Sequence, residues 1–453
     1  MIRSPWLAPV LAAALAAPVL ATAQTSTEPA KPADAAAPAP AAPATPAAPA
    51  AAPAAPAAPA APAAKPDEGV KITPYGFVMV NAFFNSALFA ARDYPGQVQV
   101  TNTGGSFLMS ARQSRLGVKL GYKDAAVTHA DLGGTIEFDF NGGQIQSTNV
   151  NSNASSTGWY NGLMRLRLAF MTASWKTSAG TVLFEGGQDF GLMNPLTGDS
   201  MAYTASPLFS QAGNLWRRSP QFRLAWAGTF DALSLSAAAA ILSPADASAP
   251  VDQGAGNRSR SPDLEGRVSV GYKVAPDLNG TLGAGLHSNK RRYDGATAGS
   301  TQDLTVTGYG ADLELNLRYV TVKGEWYTTD GLDDTYNGLG PGSPAVAGTT
   351  TNERQKVGGD GYWAQAVVKP TALLWLAAGY GRGNVDRDEL DQATADADLA
   401  KARYRNDMVV AGAFLNLGKY WRAGLEWAKT TSYYLSDDEV DAMQTTISSQ
   451  LKF

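Results

Sequence analysis

From residue 70 onward, apolar and polar positions alternate with a period of two, in segments of about ten residues. The final segment sets Met443, Thr445, Ile447, Ser449, Leu451 and Phe453 against Gln444, Thr446, Ser448, Gln450 and Lys452. Another puts Ile136, Phe138 and Phe140 on one face and Thr135, Glu137 and Asp139 on the other. Alternation of this kind predicts strands that are greasy on one side and wet on the other. Sixteen such strands are read. They start with Tyr75 to Asn85, Phe107 to Tyr122, the strand around Ile136, and one with Leu166, Leu168 and Phe170 opposite Arg165 and Arg167. Next come Thr181 to Gln188, Gln221 to Ala227, Leu233 to Ile241, Leu264 to Val274, Leu278 to Ser288 and Leu304 to Leu317. Val320 to Thr328, Gly361 to Lys369, Leu373 to Arg382, Asn406 to Leu417, Trp421 to Thr431 and Ala442 to Phe453 complete the set.

Short and long connections alternate along the chain. Lys123 to Ala126, Gly228-Thr229-Phe230, Ala275-Pro276-Asp277, Arg318-Tyr319, Pro370-Thr371 and Gly418-Lys419 are turn-length. The stretches after Asn85, Asn141, Asp189, Leu242, Asn289, Asp330, Gly383 and Ser432 are long and rich in Gly, Asn, Asp and Ser. These features predict an all-β fold, an antiparallel transmembrane β-barrel with short periplasmic turns and long extracellular loops. Both ends of the barrel then lie on the periplasmic side, which needs an even strand number; sixteen satisfies it, and eighteen follows if a long loop hides a further hairpin. Tyr75, Trp175, Trp226, Tyr272, Tyr319, Trp326, Trp363, Trp375, Tyr420, Trp421 and Trp427 stand near strand ends, where rings with an apolar body and a polar tip form interfacial girdles.

The first 69 residues have a different character. Met1-Ile2-Arg3, the apolar run from Trp6 to Leu20 and Ala21-Thr22-Ala23 before Gln24 read as a secretory signal over residues 1–23. Residues 24–69 read as an Ala/Pro-rich spacer in the periplasm, because proline fixes φ and removes backbone donors. The barrel is expected over residues 70–453. Beyond the signal no run approaches the ~20 apolar residues of a membrane helix, so any span must be built from strands. With no cysteine there is no disulfide framework, and a net charge of −4 gives no basic footprint for nucleic acid.

Several runs resemble a known family. Ala111-Arg112-Gln113-Ser114-Arg115-Leu116-Gly117-Val118-Lys119, Glu137-Phe138-Asp139-Phe140, Arg165-Leu166-Arg167, Gly187-Gln188-Asp189 and the final Phe453 are similar to the trimeric general porins of Gram-negative outer membranes. Within that group Trp216-Arg217-Arg218-Ser219-Pro220-Gln221-Phe222-Arg223 and Gly324-Glu325-Trp326 look most like the DcaP-like porins. The resemblance implies an outer-membrane homotrimer forming a water-filled channel for small hydrophilic solutes, with anions such as dicarboxylates as the finer expectation. It also implies that Phe453 addresses the chain to the barrel-assembly machinery. DcaP-like proteins usually carry a helical coiled-coil extension before the barrel; here Ala/Pro repeats occupy that place.

The polar faces supply the candidate site. Arg115, Lys119, Arg165, Arg167, Arg223, Arg267 and Lys323 share the inner face with Glu137, Asp139, Glu185, Glu265, Asp312, Glu314, Glu325 and Glu426. Glu137 and Asp139 are placed to pair across the wall with Arg165 and Arg167. The loop from Asp189 to Arg218 carries Leu208-Phe209, which are odd in an exposed loop, so it is expected to fold into the lumen. That folding would set Asp189 and Asp199 opposite Arg115, Arg165 and Arg167. The expected pore-lining and constriction set is therefore Arg115, Lys119, Glu137, Asp139, Arg165, Arg167, Glu185, Asp189, Asp199, Arg223 and Arg267, with no catalytic, metal or cofactor site. The alternative is an outer-membrane barrel enzyme or adhesin without an open channel. His129 and His287 are the two histidines, and neither carries a nucleophile signature. A plugged transporter would need a folded plug ahead of about twenty-two strands, which Ala/Pro repeats cannot supply.

Overall fold

The structure is a computed structural model that describes residues 69–453 other than 92, 101–103, 126, 143–161, 245–253, 298, 333–335, 337–341, 346–352, 395–397 and 399–400. The expected signal peptide and all but the last residue of the expected spacer lie outside the described residues.

The strands are β1 (Lys71–Asn85), β2 (Phe89–Ala91), β3 (Tyr94–Val98), β4 (Ser106–Ser110), β5 (Arg115–Tyr122), β6 (Asp131–Asp139) and β7 (Arg165–Thr177). They continue as β8 (Gly180–Phe190), β9 (Arg218–Phe230), β10 (Leu233–Leu242), β11 (Asp263–Ala275), β12 (Leu278–Asp294) and β13 (Thr301–Leu317). The rest are β14 (Val320–Asp330), β15 (Gly358–Val368), β16 (Leu374–Val385), β17 (Arg403–Leu417), β18 (Trp421–Tyr434) and β19 (Glu439–Lys452). Two short helices, α1 (Ala255–Arg258) and α2 (Arg387–Gln392), lie in long loops.

Every neighbouring pair in the large sheet is antiparallel, and β1 closes it by pairing with β19 on one edge and with β4 and β5 on the other. β4 and β5 meet the upper and lower halves of β1, so they are one wall strand broken at 111–114. Counted that way the barrel has the sixteen strands expected. The break has a local reason. Ser114 turns its hydroxyl onto the backbone of Met79, accepting from its N–H at 3.0 Å and donating to its carbonyl at 3.2 Å, in place of a ladder contact.

The alternation of residue types becomes an alternation of faces. Val78, Leu224, Val268, Leu425, Ile447 and Leu451 point outward and are strongly exposed, whereas Gln444, Thr446, Ser448 and Gln450 point inward and are buried. An apolar surface this extensive around the whole wall is covered by acyl chains rather than water.

The structure corrects several details. Gly228-Thr229-Phe230 belongs to β9, and the turn is Asp231-Ala232, with Asp231 at φ 57°. β12 and β13 pair up to Asp294 and Thr301, so the loop expected after Asn289 is largely a hairpin. A register shift between Glu137 and Phe138, where Arg167 is the extra residue on β7, puts Leu168 opposite Glu137 and Phe170 opposite Thr135, which moves both out of the outer row headed by Leu166; Met171 takes that row instead. The girdle reading fails for Tyr75, Trp363 and Trp375. Tyr75 donates to Glu137 at 3.0 Å, Trp363 is buried against Phe209, and Trp375 stacks under Arg422.

Candidate functional site

The segment between β8 and β9, residues 191–217, folds into the barrel and is fastened around the inner wall. Carboxylates spaced around the wall accept its backbone N–H groups: Glu265 on β11 takes Leu192, Glu325 on β14 takes Leu196 at 2.6 Å, and Glu426 on β18 takes Met201 at 2.9 Å and Ala202 at 2.7 Å. Gln365 on β15 accepts from Asp199 N–H at 2.6 Å, and Gln113 accepts from Thr204 N–H at 3.0 Å. Past Gln113 the polarity of the contacts reverses. Arg115 donates to the carbonyl of Thr204 at 2.7 Å, and Arg165 and Arg167 donate to that of Ala205 at 2.7 and 2.9 Å.

These contacts follow from burial. A chain led away from water must find partners for its amides, and wall carboxylates accept them as charge-assisted bonds. The apolar residues complete the fit. Leu208 and Phe209 are buried with Trp363, Met408, Val410, Phe83 and Ala428, while Met201 packs with Met79, Val367 and Phe414. Close approach of the loop requires glycines in the wall, since a Cβ on Gly381 would stand 2.1 Å from the Ala212 carbonyl. The sector from β15 to β1 is therefore filled at mid-height.

The opposite sector, β5 to β9, holds the charge. Arg167 binds Glu137 at 2.8 Å and Asp139 at 2.9 Å, and Arg165 binds Asp139 at 2.6 Å. Arg115 stands 3.5 Å from Glu137. Arg223 lies 3.7 Å from Glu185 and 3.5 Å from Asp189. The arginines keep more exposure than their partners: the Arg115 and Arg165 side chains are 22% and 25% exposed, against 6% for Glu137 and 1% for Asp139. Lys119, on the same face nearer the short turns, lies over the Tyr75 ring.

Asp189 and Asp199 do not meet Arg115, Arg165 or Arg167, contrary to expectation. Asp189 is in β8 rather than at the head of the loop and pairs with Arg223. Asp199 pairs with Lys323 on β14 at 2.8 Å, because the loop is still crossing that side of the wall when it reaches residue 199. Arg267 belongs to a separate pair with Asp312, with one contact at 2.8 Å.

Sequence reasoning missed Arg218. It lies between the Phe190 and Trp216 rings, 5.7 and 5.1 Å from their centroids, and its buried Nη1 has no hydrogen-bond partner. Its place just inside β9 was hidden by assigning Arg217 and Arg218 to the loop. Arg217 is tied to Asp263 and Ser243. The signal in the sequence was the doubled arginine ahead of Ser219-Pro220.

His287 is enclosed beside the root of the loop. Its Nδ1 is 3.1 Å from Glu265 and 2.9 Å from the Tyr336 hydroxyl, which also donates to Glu265. Burial raises the Tyr336 phenol well above its ordinary range, so it stays a donor.

No known family pattern matches the chain, and no curated protein matches it in sequence. Among solved structures it is similar to the outer membrane channel DcaP of Acinetobacter baumannii, at 15% identity and a TM-score of 0.64, over 85% of this chain and 98% of that one. It is also similar to OprB of Pseudomonas putida in its high-pH structure, at 10% identity and a TM-score of 0.52, over 85% and 94% of the two chains. Identity this low carries the fold alone: the chain has a closed sixteen-strand barrel, similar in fold to those outer-membrane porins.

Proposed function

We propose that this protein is an outer-membrane porin, a passive channel for small hydrophilic solutes that favours anions. The observation that carries the reading is the uneven exposure of charge on the β5 to β9 wall. Arg115 and Arg165 stay partly exposed, each with one nitrogen on a loop carbonyl, while the carboxylates beside them are buried. Elsewhere Glu265, Glu325 and Glu426 are occupied by loop amides, so they offer a passing cation little. The field along the passage is then set by guanidiniums, with Arg115, Lys119, Glu137, Asp139, Arg165, Arg167, Glu185, Asp189, Asp199, Arg223 and Arg267 as the wall and constriction. The resemblance of the sequence to DcaP-like porins points the same way and brings dicarboxylates forward as a solute class.

The reading assigns no catalytic role. His287, the histidine nearest the lumen, has a fully buried side chain locked against Glu265 and Tyr336 and cannot reach a solute. Permeation tests the proposal: proteoliposomes should swell in isotonic small sugars and faster in a small dicarboxylate than in a diamine of equal size. Equal rates for the two ions would remove the anion preference, and no swelling in any solute would remove the channel.

A further inference from the structure

A second charged cluster lies on the outer face of the barrel, where the wall should be apolar. Asp407 on β17 is gripped from both sides by arginines that share its face. Arg382 on β16 binds it through Nε at 2.9 Å and Nη2 at 3.1 Å, and Arg405 through Nε at 3.1 Å and Nη2 at 2.5 Å. The side chains of Arg382 and Arg405 are 30% and 28% exposed, that of Asp407 only 13%. One carboxylate cannot neutralise two guanidiniums, so these three groups together carry one net positive charge, with Asp360 on β15 and Glu439 on β19 in the adjoining row of the same face, and both Nη1 edges are free of protein hydrogen bonds among the described residues.

Its height follows from the register. Trp326, Tyr362, Arg382, Asp407 and Thr431 are successive cross-strand neighbours in one lateral row. Counted from the short-turn ends of their strands, Trp326 and Tyr362 stand six residues up, Arg382 eight, and Asp407 and Thr431 ten. At ~3.3 Å per residue on strands tilted by about 40°, ten residues climb about 25 Å, the height of the apolar band. By the same count Trp326 and Tyr362, exposed and outward, stand about 15 Å up and Arg382 about 20 Å, from where its long side chain extends to Asp407 at the upper edge of the band. In hydrocarbon the cluster would be prohibitively costly; at headgroup level it faces phosphates. Tyr380 and Tyr433 lie under Arg382 and Arg405, with ring centroids 5.8 and 4.4 Å away, and help fix the planes of the two forks.

We propose that Arg382 and Arg405 bind the phosphate of an anionic lipid headgroup in the outward-facing leaflet. Two planar forks held by a common carboxylate are preorganised for bidentate contact with phosphate oxygens. The proposal rests on the membrane-spanning reading, and the test separates the two. The full chain is folded in detergent with a bis-phosphorylated glycolipid or its enzymatically dephosphorylated form, delipidated in steps, and weighed by native mass spectrometry. Wild type should keep the phosphorylated lipid and shed the other, and R382Q/R405Q should lose at least about ten-fold in retention, the lower end of what one charge-assisted bond supplies. Equal retention by wild type and R382Q/R405Q, or of the two lipid forms by wild type, overturns the proposal. Loss of oligomer mass in R382Q/R405Q overturns it in favour of a subunit contact. Channel activity in planar bilayers is read alongside; wild type that never inserts would refute the membrane-spanning reading instead.

Discussion

Arg167 and Arg115 show how burial divides the work among similar side chains. Arg167 has a 6% exposed side chain bonded to both Glu137 and Asp139. Replacing it by glutamine leaves two buried carboxylates short of their partner, which should cost about 3–5 kcal/mol, read as a fall in the temperature at which the folded band is lost in heat-modifiability gels. Arg115→Gln removes a partly exposed charge 3.5 Å from Glu137, so stability should change by less than about 1 kcal/mol while anion preference falls. The opposite ordering would mean that Arg115 holds the wall and Arg167 serves the passage. The sequence showed that these residues share a face and pair across strands. It did not show which of them is buried, because that depends on where Thr204 and Ala205 of the incoming loop come to rest.

At the scale of elements, the strands were legible because a half-buried wall leaves a period-two record in every segment, and all sixteen were placed. The departures are places where something other than that period decides. Ser114 hydrogen-bonds the backbone of Met79 and breaks the second wall strand, and the shifted register at Glu137 and Phe138 relocates Leu168 and Phe170. Trp363 fits a girdle by position, yet Phe209 of the buried loop stacks on its ring and Glu325 of the neighbouring strand accepts its indole N–H. The loop's inward path was legible from Leu208-Phe209, but its partners were not, since backbone amides leave no mark in a sequence. Glu426 holds Ser200, Met201 and Ala202 together. Glu426→Ala should therefore loosen the loop and make single-channel current noisier. Removing residues 194–207 should raise conductance outright; unchanged conductance in a folded deletion variant would show that the loop does not narrow the passage.

For the whole molecule we infer a homotrimer. The outer residues of β10 between Leu235 and Ile241 are Ala237 and Ala239, which leave a shallow hollow edged by Leu224, Trp226, Val268 and Leu286. Ser234 and Ala240 face inward and are buried. On β1, Gly76 and Ala82 flank Val78 and Val80 on the outer face. Small outer residues let barrel walls approach more closely than acyl chains require, which favours a second copy over lipid. Native mass in mild detergent should show three copies, and a monomer at every detergent concentration would refute the trimer.

The central claim is a water-filled passage whose field is set by Arg115, Arg165 and their neighbours. The most direct measurement is the current through the purified protein in a planar bilayer with a potassium chloride gradient across it. The account predicts discrete open-channel steps and a reversal potential displaced toward that of chloride, a displacement that shrinks in Arg115→Gln. A silent bilayer, or a reversal potential displaced toward that of potassium, would contradict it.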